Sequence, residues 1–265
     1  MSTAVTPMPV PEAAARPVGV LLINLGTPDS TAVSDVRRYL REFLSDPRVV
    51  DINPVGRWML LNFVILPFRP RKSAEAYRSI WTDEGSPLLV YEQALTESVQ
   101  KELGPNFHVE LAMRYGKPSI PDAVDRLMAM DPERIIVVPL FPQYSSAATG
   151  SAVDRALEVI GKQWNVPTVE TIPAFYDDPG FIESFAQVAR PLLRDFEPDH
   201  VVLSYHGVPE RQVTKSDPTG AHCLASPDCC KVDLPANRFC YRAHCVRTSD
   251  RLLEALDLDP ERTST

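Results

Sequence analysis

The first 222 residues contain no cysteine; all five lie between Cys223 and Cys245. A chain so poor in sulfur over most of its length is not a disulfide-stapled secreted scaffold. No apolar run approaches the roughly 18 residues that cross a bilayer as a helix. The N-terminus lacks the basic, apolar, small-residue order of a signal peptide. Positive charge is also scarce: 27 Lys and Arg against 35 Asp and Glu give a formal net charge of −8, which argues against a nucleic-acid partner. The strand–glycine–helix opening around Gly26 is not a complete G-x-G-x-x-G, so a dinucleotide site has poor support. These absences leave a cytoplasmic protein of ordinary composition, 44% hydrophobic and 23% charged. Its 265 residues suffice for one large or two modest domains.

Residues 1–17 are rich in Ala, Pro, Thr and Val without a period and are expected to form a disordered tail. Val18 to Asn24 is a nearly continuous apolar run, the pattern of a strand buried on both faces. Leu25-Gly26-Thr27-Pro28 is expected to turn out of it. Further apolar runs at 109–113, 134–140 and 168–175 alternate with helical spacing, giving a βαβαβαβ order and a parallel sheet. The division expected is a first α/β domain over 18–175 and the start of a second over 176–265. Trp58 to Pro67 is the most apolar stretch and is flanked by Arg57, Arg69, Arg71 and Lys72. It reads either as a core helix or as an exposed lip facing a membrane surface or an apolar macrocycle.

In the second unit Val201 to Leu203 feeds Ser204-Tyr205-His206-Gly207-Val208-Pro209. A histidine just beyond a strand end occupies the usual ligand position of an open parallel sheet. Imidazole suits proton transfer or metal handling, and a structural histidine at a strand end is the equally weighted alternative.

This motif resembles the active-site histidine segment of ferrochelatases, which insert ferrous iron into a porphyrin to make haem. The same order of landmarks runs through Leu22-Ile23-Asn24-Leu25-Gly26-Thr27-Pro28, Tyr77-Arg78, Gly85-Ser86-Pro87, Met113-Arg114-Tyr115 and Pro139-Leu140-Phe141-Pro142-Gln143-Tyr144-Ser145. The resemblance implies two Rossmann-like parallel-sheet units of the chelatase type, the second incomplete. It implies a lyase acting on Fe2+ and protoporphyrin IX, with His206 as catalytic base or metal ligand. Leu25, Tyr77, Arg78, Arg114, Tyr144 and Ser145 are the implied substrate contacts, the arginines suiting bidentate pairing with propionates. Residues 58–67 match the apolar lip of the family and imply peripheral membrane contact. No residue matches the family's glutamate facing the histidine, so the chain reads as C-terminally truncated and, alone, inactive. The strand bearing His206 is accordingly expected to lack sheet neighbours.

The cysteines are spaced Cys223-x5-Cys229-Cys230-x9-Cys240-x4-Cys245, within a loop over 220–245. Disulfides need an oxidising compartment, and C-x2-C zinc knuckles are absent, though structural zinc stays open. Four thiolates on a loop suit a [2Fe–2S] cluster. Some ferrochelatases are similar in carrying one, which implies four of these five as ligands, with Cys245 or one of the neighbours Cys229 and Cys230 as the spare. Competing readings are a coproporphyrin ferrochelatase, a cobalt chelatase of another tetrapyrrole, and a non-catalytic iron–sulfur or haem-binding fragment.

Overall fold

The apolar run at the start becomes β1, Val18–Thr27, in a computed structural model that describes residues 16–265. The tail expected over 1–17 lies almost wholly outside the described residues. β1 leads into α1 (Val33–Ser45), α2 (Pro54–Met59), a π-helical stretch (Leu60–Ile65), α3 (Leu66–Ile80) and α4 (Pro87–Leu103). Next come β2 (Phe107–Gly116), α5 (Ile120–Met128), β3 (Arg134–Pro139), a second π-helical turn (Ser146–Gly150), α6 (Ser151–Ile160) and β4 (Thr168–Thr171). The remainder is α7 (Pro179–Phe196), β5 (Val201–Val202), α8 (Glu210–Lys215), α9 (Tyr241–Leu256) and β6 (Thr263–Ser264).

The four-stranded sheet has the order β2-β1-β3-β4, and every pairing is parallel. β1 is central, with Leu22 beside Leu111 of β2 and Val138 of β3. Its alternate residues face opposite sides, as the pleat requires. Leu21 and Ile23 pack under α5 and α6, against Val124, Leu127, Ala156 and Ile160. Val20 and Leu22 join Leu111 and Met113 beneath Leu89 and Val99 of α4. Both faces are covered, which is why the run reads as continuous rather than alternating. A third cluster joins α1 and α3 through Val36, Tyr39, Leu40, Leu66 and Ala74, with Tyr115 of β2 beneath.

The turn expected at Leu25 is displaced. β1 continues to Thr27, with Gly26 beside Tyr115 and Thr27 beside Gly116. Gly26 has φ +115°, and a Cβ there would lie 1.8 Å from the Tyr115 carbonyl oxygen, so only glycine lets the strands close. β4 is shorter than the apolar stretch suggested, ending at Thr171. The run 54–80 is helical throughout, and the lip is exposed: Trp58 is 59%, Phe63 63% and Phe68 76% accessible. Leu61, Leu66 and Ala74 anchor that run inward, with Ile65 and Tyr77 packed beside them. The strand before His206 does have a neighbour, correcting the expectation that it would have none: Val201 and Val202 pair in parallel with Thr263 and Ser264.

Candidate functional site

The parallel strands end on one side of the sheet, where Leu25 and Arg114 lie near the ends of β1 and β2 and Tyr144 and Ser145 follow β3. At the end of β1, the Asn24 Oδ1 accepts from the Leu25 N–H, and its Nδ2 donates to Glu92 Oε1 at 2.5 Å. Leu25 is half-buried against the α1–α3 cluster, as is Tyr77. Tyr77 meets Tyr39 and Trp81 edge-on, each at 6.3 Å. Burial raises its phenol pKa. Arg78 is exposed and, among the described residues, has no ion-pair partner.

Arg114 has internal work. Its Nη2 meets Asp46 Oδ2 at 2.7 Å, its Nε donates to the Ser151 hydroxyl at 2.7 Å, and its guanidinium lies 4.5 Å over the Tyr115 ring. The same Asp46 oxygen accepts from Tyr115 (2.9 Å) and Ser151 (2.5 Å). Burial pushes the Asp46 carboxyl up. Hydrogen bonds from Ser151, the Arg48 N–H and Tyr115, with the Arg114 charge, outweigh it and hold the pKa below the ordinary value. This guanidinium, expected at a propionate, also clamps β2 to α6 and to the end of α1.

Tyr144 and Ser145 lie in the loop after β3. Ser145 Oγ accepts from the Ala148 N–H at 3.1 Å and so begins the following helical turn. The Tyr144 ring packs on Phe239 at 5.0 Å. Both residues line a cavity of about 320 Å³ with Arg48, Lys215, Phe239 and Tyr241. Its cations are largely matched: Lys215 Nζ meets Asp51 at 2.6 Å, and Arg48 lies 3.7 Å from Asp154.

His206 is exposed and opens into a wider groove of about 830 Å³ with Tyr205, Glu210, Tyr241, Arg242 and Cys245. Val208, Val213 and Tyr241 line both this groove and the Tyr144 cavity. The fold thus brings His206, Tyr144 and Ser145 to adjoining spaces. Leu25, Tyr77, Arg78 and Arg114 are not among the residues lining either one. Arg48, Lys215, Phe239 and Tyr241, which line the Tyr144 cavity, carried no signal in the sequence: they sit in no motif and come from three separate segments.

The cysteine loop is organised by Asp217, whose carboxylate accepts from the N–H groups of Thr219, His222 and Cys223. Cys223, Cys229, Cys230 and Cys240 are buried in one cluster with Val213 and Ala243. The Cys229 and Cys230 sulfurs are 3.8 Å apart. Burial, reinforced by the neighbouring Cys240, pushes the thiols of Cys223 and Cys230 up to about 12. Cys245 stands apart, on α9 in the His206 groove, its thiol pushed by burial to about 11. Among the described residues no group of three or more His, Cys, Asp or Glu stands in position to hold a metal ion. The fold gathers four soft donors and leaves out the fifth, without setting them around a common centre. His244 is buried, and its bonds fix one tautomer: Nδ1 accepts from the Tyr144 N–H at 3.0 Å, and Nε2 donates to the Arg238 carbonyl at 3.0 Å. Burial lowers its pKa to about 4.

Among the described residues no helix is long and apolar enough to cross a membrane. The ferrochelatase family model matches residues 17–265. The chain is 44% identical over 245 residues to a ferrochelatase of Coxiella burnetii (strain RSA 493 / Nine Mile phase I), covering 92% of this chain and 68% of that protein. It is likewise 44% identical over 247 residues to a ferrochelatase of Legionella pneumophila (strain Paris), covering 93% of this chain and 72% of that protein.

Proposed function

The chain belongs to the ferrochelatase family and is an enzyme inserting ferrous iron into a porphyrin in haem synthesis; we propose that His206 is its catalytic residue. Insertion replaces two pyrrole N–H protons by one Fe2+, so a base must accept protons or hand over the metal. An exposed imidazole, able to accept a proton or to ligate a transition metal, suits either task. The observation carrying this reading is that His206 opens into a groove sharing a wall with the Tyr144–Ser145 cavity. Aromatic Tyr144, Phe239 and Tyr241 suit the faces of a macrocycle. Exposed Arg78 is left for a propionate, while Leu25, Tyr77 and Arg114 act from behind by holding the strand-end loops. The test is His206→Ala in the intact protein, with porphyrin metalation followed by absorbance. Insertion should be lost at an unchanged melting temperature; turnover near the parent rate removes His206 from the mechanism.

The porphyrin we assign is protoporphyrin IX. The cations lining the cavity are already matched by Asp51 and Asp154, which favours a ligand with fewer carboxylates over the more highly charged coproporphyrin. A higher kcat/KM for coproporphyrin would reverse that assignment.

The four gathered thiols support a [2Fe–2S] cluster on Cys223, Cys229, Cys230 and Cys240, with zinc as the second reading. Four buried soft donors, with Arg242 3.7 Å from the Cys229 sulfur, suit an anionic thiolate centre. When bound, a cluster supplies cross-links that order the loop. Asp217 and Asn237 brace the same loop without metal, Asn237 donating to the carbonyls of Cys229 and Val232. The exposed aromatics of 58–68, ringed by Arg57, Arg69, Arg71 and Lys72, support peripheral contact with a membrane from the cytoplasmic side. The two parallel sheets support units spanning 18–175 and 176–265.

A further inference from the structure

Every backbone N–H in a partly buried loop needs an acceptor. Around Tyr144 most are local or come from the sheet: Leu140 donates to Ile23, and Ala148 and Gly150 both donate to Ser145. Tyr144 is different. Its N–H donates to the imidazole Nδ1 of His244, a hundred residues further along the chain. One helical turn beyond, Thr248 Oγ accepts from the Gln143 side chain at 3.0 Å. Residues four apart share a helix face, so α9 grips this loop at two consecutive points.

The gripping residue is itself held. His244 is 1% exposed, with the Tyr176 ring stacked at 3.8 Å, and its Nε2 is anchored on the Arg238 carbonyl. Arg238 and Phe239 immediately precede Cys240, and Phe239 carries the Tyr144 ring on its own. Backbone and ring of Tyr144 are therefore both set by the end of the thiol-bearing segment.

We propose that His244 is a positioning residue for the porphyrin pocket, fixing the Tyr144 backbone and so ring placement in the cavity wall. It acts through Tyr144, not on the porphyrin, and it makes the pocket depend on order in the segment that holds the cysteines. The proposal rests on the reading of the Tyr144 cavity as the porphyrin site.

Three variants of the full chain separate its parts. His244→Asn keeps an acceptor near the Nδ1 position, His244→Gln keeps a donor near Nε2 without that acceptor, and His244→Ala keeps neither. Hydrogen exchange read at the Tyr144 amide should be on the order of tenfold or more faster in the Gln and Ala variants, with Asn close to the parent. Protoporphyrin IX binding, read by quenching of tryptophan fluorescence, should weaken about five- to hundredfold in Gln and Ala and recover in Asn. The metalation kcat should move less than KM. Equal affinity across all four proteins overturns the proposal, as does rescue by Gln rather than Asn, which would put the role on Arg238. If the parent binds no protoporphyrin while the exchange pattern holds, the porphyrin reading fails, and the proposal as stated falls with it; the tie between α9 and the loop remains.

Discussion

Replacing Asp46 with Asn tests the clamp beneath the candidate site most sharply. One carboxylate oxygen, Oδ2, accepts three bonds: from Arg114, Tyr115 and Ser151. The other accepts from the Arg48 N–H. An amide has the same shape but one acceptor. If its NH2 replaces Oδ2, it confronts the Arg114 guanidinium donor to donor; if it flips, it confronts the Arg48 N–H. Either way Arg114, with its side chain only 17% exposed, loses its counter-charge. Breaking one partner of a buried pair costs about 3–5 kcal/mol. At about 2–4 °C per kcal/mol for a domain of this size, the melting temperature should fall by ~6–20 °C. Because hydrogen bonding holds the Asp46 pKa down, its contribution is present above the unfolded value of about 3.9 and is lost as pH falls through the lower folded value. The gap between parent and variant should therefore close in acid. Urea unfolding across pH measures it. Adding Arg114→Met to the Asn variant should recover part of the loss, since the stranded cation is gone. A single variant within about 0.5 kcal/mol of the parent, or a double variant no better than the single, refutes the reasoning.

Anaerobically purified protein should carry iron and acid-labile sulfide in equal amounts. Cys→Ser at 223, 229, 230 or 240 should remove the colour and Cys245→Ser should not; stoichiometric zinc without sulfide sinks the cluster. Gly26→Ala should cost about 3–5 kcal/mol or prevent folding, because its Cβ would strike the Tyr115 carbonyl. Gly85→Ala, with φ +120° but open space around it, should cost only about 1–2 kcal/mol of backbone strain. Chemical denaturation of both variants decides, and equal losses would show that the close strand approach is not what requires Gly26. Trp58→Ser combined with Phe63→Ser should reduce cosedimentation with anionic liposomes and leave insertion of iron into detergent-dispersed porphyrin unchanged; unaltered cosedimentation excludes the lip as the contact.

The parallel sheet and its covering helices were legible in the chain because burial on both faces imposes a pattern that survives without coordinates. Leu21 and Ile23 must be as apolar as Val20 and Leu22, and helices must intervene between parallel strands. The placement of His206, though not its role, was legible for a similar reason: an apolar run closed by Gly and Pro ends in a turn, and β5 ends at Val202, shortly before the histidine. Partners distant in sequence were not. Nothing local announces that Arg114 bonds to Asp46, 68 residues earlier, or that His244 accepts from the Tyr144 backbone. A guanidinium bonds a propionate or a buried carboxylate with the same geometry, so its residue type cannot choose between them. The cysteines divide along the same line. Their spacing announced a cluster of thiols and left the fifth undecided. The helix that turns Cys245 toward His206, while Cys240 faces Cys223 and Cys230, is a tertiary outcome, since only packing decides which side of α9 is buried against what.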